Sequence, residues 1–105
     1  PVWLWLLASG FAARNVGYPL ATSYNDPEKS CWAQLWSAEM YGSDNMPRLQ
    51  VCADAAWAFG GQIKWPTGQY EQAPSVIRYP VQSDEDAEKL ELPRDLKTAG
   101  PIPLY

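Results

Sequence analysis

An α/β fold, with strand, helix, strand and helix in that order, is what this 105-residue sequence predicts. Two short apolar runs, residues 2–7 ("VWLWLL") and 47–52 ("PRLQVC"), have strand length and stand among turn residues. A well-capped helix lies between them, and a short helix ending in Gly-Gly follows the second run. That alternation is the mark of βα units on a parallel sheet. Two such units do not close a sheet, so residues 1–105 are expected to form one piece of a larger α/β body.

The first run is apolar on both faces, as a parallel strand covered by helices on each side is. It lacks the basic start of a signal peptide and is too short to span a bilayer. Residues 8–24 read as irregular with one short helix, because Gly10, Gly17 and Pro19 punctuate them. Asp26 is then a good N-cap, Pro27 suits the first helical position and Glu28 favours the positive end of the helix dipole. Trp32, Leu35, Trp36 and Met40 recur at three- and four-residue spacing and predict a packed apolar face, with Trp32 and Trp36 against the sheet. Gly42 ends the helix.

Pro47 fits only the first position of the second strand. "ADAAWAFGG" reads as a short helix with a glycine stop, "QIKWP" as a short strand, residues 66–75 as a Pro/Gly-rich loop and "SVIRYPV" as another extended segment. Ser83 caps "DEDAEKLEL", with Asp86 near the capping-box position. After Leu92 the prolines and Gly100 predict an irregular approach to whatever follows. The chain opens without Met and closes on "GPIPLY" with no stop signal, so further residues are expected at both ends.

Composition narrows the function classes. At 47% hydrophobic residues the chain is no disordered segment. The net charge is −4 with no basic cluster, which argues against nucleic acid as a partner. No histidine is present, which removes the commonest general base and metal ligand. Cys31 and Cys52 read as reduced, buried, structural residues of a cytoplasmic protein. Two cysteines without histidine do not complete a zinc site.

The motifs, in order, resemble the N-terminal part of the uroporphyrinogen decarboxylase superfamily. "PVWLW" resembles its first barrel strand, and "NDPEKSCWAQLWSAEMYGSD" its "DPE…Q…E.(F/Y)G.D" helix. "AWAFGGQIKWP" resembles "EALG.EV.FP", "PSVIRYPVQSDEDAEKLELP" resembles "PSV…PI.D.EDLEKL..P", and "TAGPIPLY" resembles the "GRLPV" stretch. The resemblance spans essentially residues 1–105 and implies the N-terminal portion of a (β/α)8 barrel, incomplete in this chain.

Departures from the pattern select among members. Decarboxylases carry arginines after "PVW" that bind the porphyrinogen's acidic side chains; Leu6 and Gly10 stand there, and neither can pair a carboxylate. The decarboxylase aspartate that hydrogen-bonds the pyrrole N–H groups falls at Val51. Both losses point to the methyltransferase branch. The resemblance then implies methyl transfer between a small substrate and a corrinoid held by a separate protein, a thiol or a folate. In thiol-methylating members a zinc ion activates the thiol, on ligands later in the barrel. The fragment alone is expected to be inactive.

Barrel active sites lie at the C-terminal ends of the strands. That places Ser9 and Gly10, after strand one, and Cys52, Ala53 and Asp54, after strand two, near the mouth. Asp54 reads first as the cap of a helix over residues 55–59, and second as a carboxylate that orients a substrate cation or hydroxyl. Cys52 has no partner base in view and reads as packing before nucleophile. Each tryptophan reads first as core; an aromatic cage for a quaternary ammonium is the second reading, with Trp57 and Trp65 at a pocket edge. The acidic run at residues 84–86 reads as helix N-terminal charge before a corrinoid-protein docking patch. Two other functions stay open: a decarboxylase-like lyase with altered substrate, and a small non-enzymatic binding module with exposed tryptophans on its loops.

Overall fold

The computed structural model describes all residues except 4–7, 50–52, 69, 72 and 105. Its elements run α1 (Ala8–Asn15), α2 (Thr22–Asn25), α3 (Pro27–Tyr41), α4 (Asp54–Ala58), β1 (Gln62–Lys64), β2 (Ser75–Arg78) and α5 (Asp84–Glu88), then one 3-10 turn over Ile102–Leu104. The architecture is mixed: mostly helical, somewhat extended, with one two-stranded antiparallel sheet and no barrel among the described residues.

Local signals place α3 as the sequence predicts. The Asp26 carboxylate accepts the Lys29 N–H at 3.0 Å, Pro27 opens the first turn, and Gly42 closes the helix with φ +63°. Those bonds also hold the Asp26 carboxyl below its usual range, the Lys29 N–H first and its ammonium second. Ser83 accepts the Asp86 N–H at 3.2 Å and starts α5; Asp86 reaches back to the Gln82 N–H rather than to the N-cap residue itself.

The face of α3 that packs is the opposite of the expected one. Ser30, Ala33, Gln34 and Ser37 are buried, whereas Trp32, Leu35, Trp36 and Met40 are 39–62% exposed. Small residues allow close approach: Ala12 and Ala13 of α1 and Ala33 of α3 are essentially inaccessible to water. Short polar bonds tie the seam, with the Ser30 hydroxyl donating to the Ser23 carbonyl (3.2 Å) and the Asn15 amide to the Ser37 hydroxyl (3.2 Å). Trp32 and Trp36 therefore do not pack on a sheet; they stack on each other, ring centroids 5.8 Å apart.

Both expected parallel strands need qualification. Most of strand one, and residues 50–52 of strand two, lie outside the described residues. Val2 and Trp3 carry no regular structure, although Val2 is clamped to Asp44 through two hydrogen bonds of 2.7 and 2.8 Å. Residues 47–49 are likewise outside any strand, because Arg48 takes the bonds a neighbouring strand would offer from the Gln34 side chain. Residues 8–24 carry two helices instead of one. In α1, a Cβ at Gly10 would stand 3.3 Å from the Leu20 side chain, so glycine lets Leu20 close over the helix.

The observed sheet is a hairpin made by the two extended segments predicted last. Gln62 pairs with Arg78, Ile63 with Val76 and Lys64 with Ser75, with an irregularity between the first two pairs. Its loop is closed by Glu71, which accepts the Thr67 N–H (2.8 Å), the Gly68 N–H (3.3 Å) and the Lys64 ammonium. Below it, Gly61 and Gly100 bring chains into contact. A Cβ on Gly61 would lie 2.5 Å from the Ala56 carbonyl, and one on Gly100 2.6 Å from the Ala58 nitrogen. The tail thus packs on α4.

Candidate functional site

The described residues expected at the barrel mouth fall on α1 and at the start of α4. Ser9 and Gly10 are inside α1, which begins at Ala8 where an irregular segment was expected; residues 4–7 of the expected first strand lie outside the described residues. Helix-forming alanines and the α1–α3 seam outweigh the turn signal of Ser-Gly there. Cys52 lies outside the described residues, as do Leu6 and Val51. Cys31, expected to be buried, is exposed on α3.

Ala53, Asp54 and Trp57 do fall together, at the start of α4. The capping position belongs to Ala53, which supplies no side-chain bond and sits in the left-handed region at φ +63°, ψ +25°. Asp54 is one residue further in, at the first helical position, so its carboxylate does not cap the helix in the usual way. It accepts the N–H of its neighbour Ala55 at 2.7 Å and is otherwise exposed to water. A carboxylate there is favoured by the helix dipole and remains open to solvent. Trp57 is three residues on, hence on the same side of the helix. Its ring is engaged edge-on by Trp65, with centroids 5.2 Å apart and planes at 82°. That geometry is an aromatic pair joining α4 to the hairpin, and its rings face each other rather than framing a cation site.

A second group was not singled out from sequence. A shallow cleft of about 530 Å3 runs along the hairpin beside Gln62, Ile77, Arg78, Tyr79 and Gln82. A smaller one of about 360 Å3 adjoins it between Phe59, Arg78, Gln82 and Asp86. The only sequence signal for it was a lone arginine in an otherwise β-forming run, "SVIRY".

Zinc and a corrinoid enter only through the family resemblance. Among the described residues no three His, Cys, Asp or Glu side chains converge as metal ligands. No helix among them is long and apolar enough to cross a membrane. No protein-family model, curated protein or solved structure matches the chain.

Proposed function

We propose that residues 1–105 are the N-terminal part of a uroporphyrinogen decarboxylase-like (β/α)8 enzyme of the methyltransferase branch. It moves a methyl group between a small substrate and a corrinoid on a partner protein, a thiol or a folate. The observation that carries this reading is the order and spacing of five sequence motifs, with apolar residues at Leu6, Gly10 and Val51 where tetrapyrrole recognition needs charge or a hydrogen-bond acceptor. The local structure is consistent with it. The "DPE" motif opens a 15-residue helix, and Gln34 of that helix holds the backbone of Arg48 at the start of the second apolar run. Asp54 and Trp57 follow the second apolar run, the position in which a barrel of this kind would keep its chemistry.

This stretch contributes recognition and framework, not a complete reaction centre. The test is methylcobalamin consumption, followed by absorbance, in a longer protein containing residues 1–105, with a small thiol or tetrahydrofolate as acceptor. Turnover by that protein and none by residues 1–105 alone is expected. Carbon dioxide release from a porphyrinogen without methyl transfer would overturn the reading in favour of a lyase. Turnover by residues 1–105 alone would overturn the claim that they are only a part.

A further inference from the structure

Arg78 ends β2 with its backbone paired to Gln62 and its side chain exposed to water. Its guanidinium makes no hydrogen bond or ion pair with any described residue. It lines both clefts beside the hairpin. Asp86 lines the smaller of them as well. Two opposite charges therefore share one small cleft without pairing to each other.

Local bonds hold the carboxylate on its own side. Asp86 lies in the first turn of α5, and its Oδ2 accepts the Gln82 N–H at 3.1 Å. The Gln82 side-chain amide in turn donates to the Tyr79 carbonyl at 3.3 Å, which ties down the turn leading from Arg78 to α5. The second oxygen of Asp86 takes no donor among the described residues. Phe59 and Pro80 add apolar wall to the same cleft. Phe59 is the C-cap of α4, so the cleft stands at the opposite end of that helix from Asp54.

We propose that this cleft binds a small zwitterion, a molecule with one carboxylate and one ammonium group a few carbons apart. The carboxylate takes the Arg78 fork, whose parallel N–H donors match its two oxygens. The ammonium donates to the open oxygen of Asp86. The carbons between them lie against Phe59 and Pro80. A simple anion would be repelled by Asp86 and a simple cation by Arg78, so the pair of charges selects a ligand that carries both. The volume of about 360 Å3 is at the lower end of the roughly 300–1,000 Å3 of ligand pockets, which sets the ligand's size. Both charged groups are exposed, so each contact is weak and binding is in the millimolar range.

Magnetic resonance of the 105-residue chain in low-salt buffer, titrated with glycine, β-alanine and γ-aminobutyrate, tests this independently of any methyl transfer. Saturating shifts of the Arg78 Nε–H and the Gln82 amide are expected with at least one of them, and the tightest binder gives the distance between the charges. Acetate and methylammonium, each one half of the ligand, are expected to bind more weakly. Arg78→Gln and Asp86→Asn, both at exposed positions, are each expected to weaken binding about three- to fivefold, as loss of an exposed ion pair does, and to keep the remaining hairpin resonances in place. No saturating shift with any of the three zwitterions would overturn the proposal. So would acetate binding as tightly as the best zwitterion, which would mark a plain anion site, or variants that bind like wild type.

Discussion

Gln34 ties α3 to the backbone of Arg48, 14 residues away. It is 5% exposed, and its amide satisfies itself completely. Nε2 donates to the Ser30 carbonyl and hydroxyl (both 3.1 Å) and to the Arg48 carbonyl (3.0 Å), while Oε1 accepts the Arg48 N–H (3.1 Å). An amide is the one side chain that offers donor and acceptor side by side, as a strand backbone does. Replacing it by Leu removes both bonds to Arg48 and is expected to cost about 1–3 kcal/mol, as unmade partly buried hydrogen bonds do. Denaturant unfolding checks the loss, and faster exchange of the Arg48 amide locates it; unchanged exchange there would contradict the assigned role. Ala53 makes the opposite case. Its left-handed backbone costs a residue with a Cβ about 1 kcal/mol that glycine avoids. Ala53→Gly is therefore expected to stabilise the chain by up to about 1 kcal/mol, and a loss of stability would show that α4 depends on the Ala53 methyl group instead. Neither residue's role was legible in advance. Gln34 sits in a recognisable motif, but its partner is 14 residues away, and nothing in the letters "VCADAA" marks Ala53 as left-handed.

Elements were legible where their signals are local. Asp26, Pro27 and Gly42 fix α3 to its ends, and Ser83 starts α5, because a cap is decided by atoms within one turn. The two strands of the hairpin were placed as extended segments, yet their pairing with each other was not foreseen. An isolated extended run does not name its neighbour, and the loop between them closes on Glu71 rather than on a short turn. The apolar periodicity of α3 revealed a stripe, correctly, but periodicity cannot say whether a stripe meets this chain or another surface. The hairpin loop carries its own pH response. The Lys64 ammonium, then the Thr67 and Gly68 N–H groups, hold the Glu71 carboxyl at about 2, below its ordinary 4.5. A depressed pKa means the loop's stabilisation is full above pH 4.5 and is lost as pH falls from 4.5 toward 2. The Thr67 and Gly68 amide resonances are expected to titrate near pH 2; a midpoint near 4.5 would mean that the clasp does not form in solution.

At the scale of the whole molecule, burial among the described residues is thin. A 105-residue globule has a radius of gyration near 13 Å. This chain has 15.8 Å, with extents of 51 × 27 × 22 Å. The buried hydrophobic residues among those described are Ala12, Ala13, Leu20, Tyr24, Ala33 and Ala99, four of them alanine. Large apolar side chains are present in the sequence but stand at the surface, Trp32, Trp36, Met40, Met46 and Leu92 among them. Composition excluded disorder; that these apolar groups face outward depends on which faces the helices offer each other, a long-range matter no window of sequence contains. An unfinished core is the physical claim beneath the proposed barrel part. Scanning calorimetry of residues 1–105 at low micromolar concentration tests it most directly. A closed domain of this size absorbs about 0.7 kcal/mol per residue near 60 °C in one two-state transition. The unfinished core predicts a broad transition well below that enthalpy. A sharp transition with the full enthalpy would contradict it.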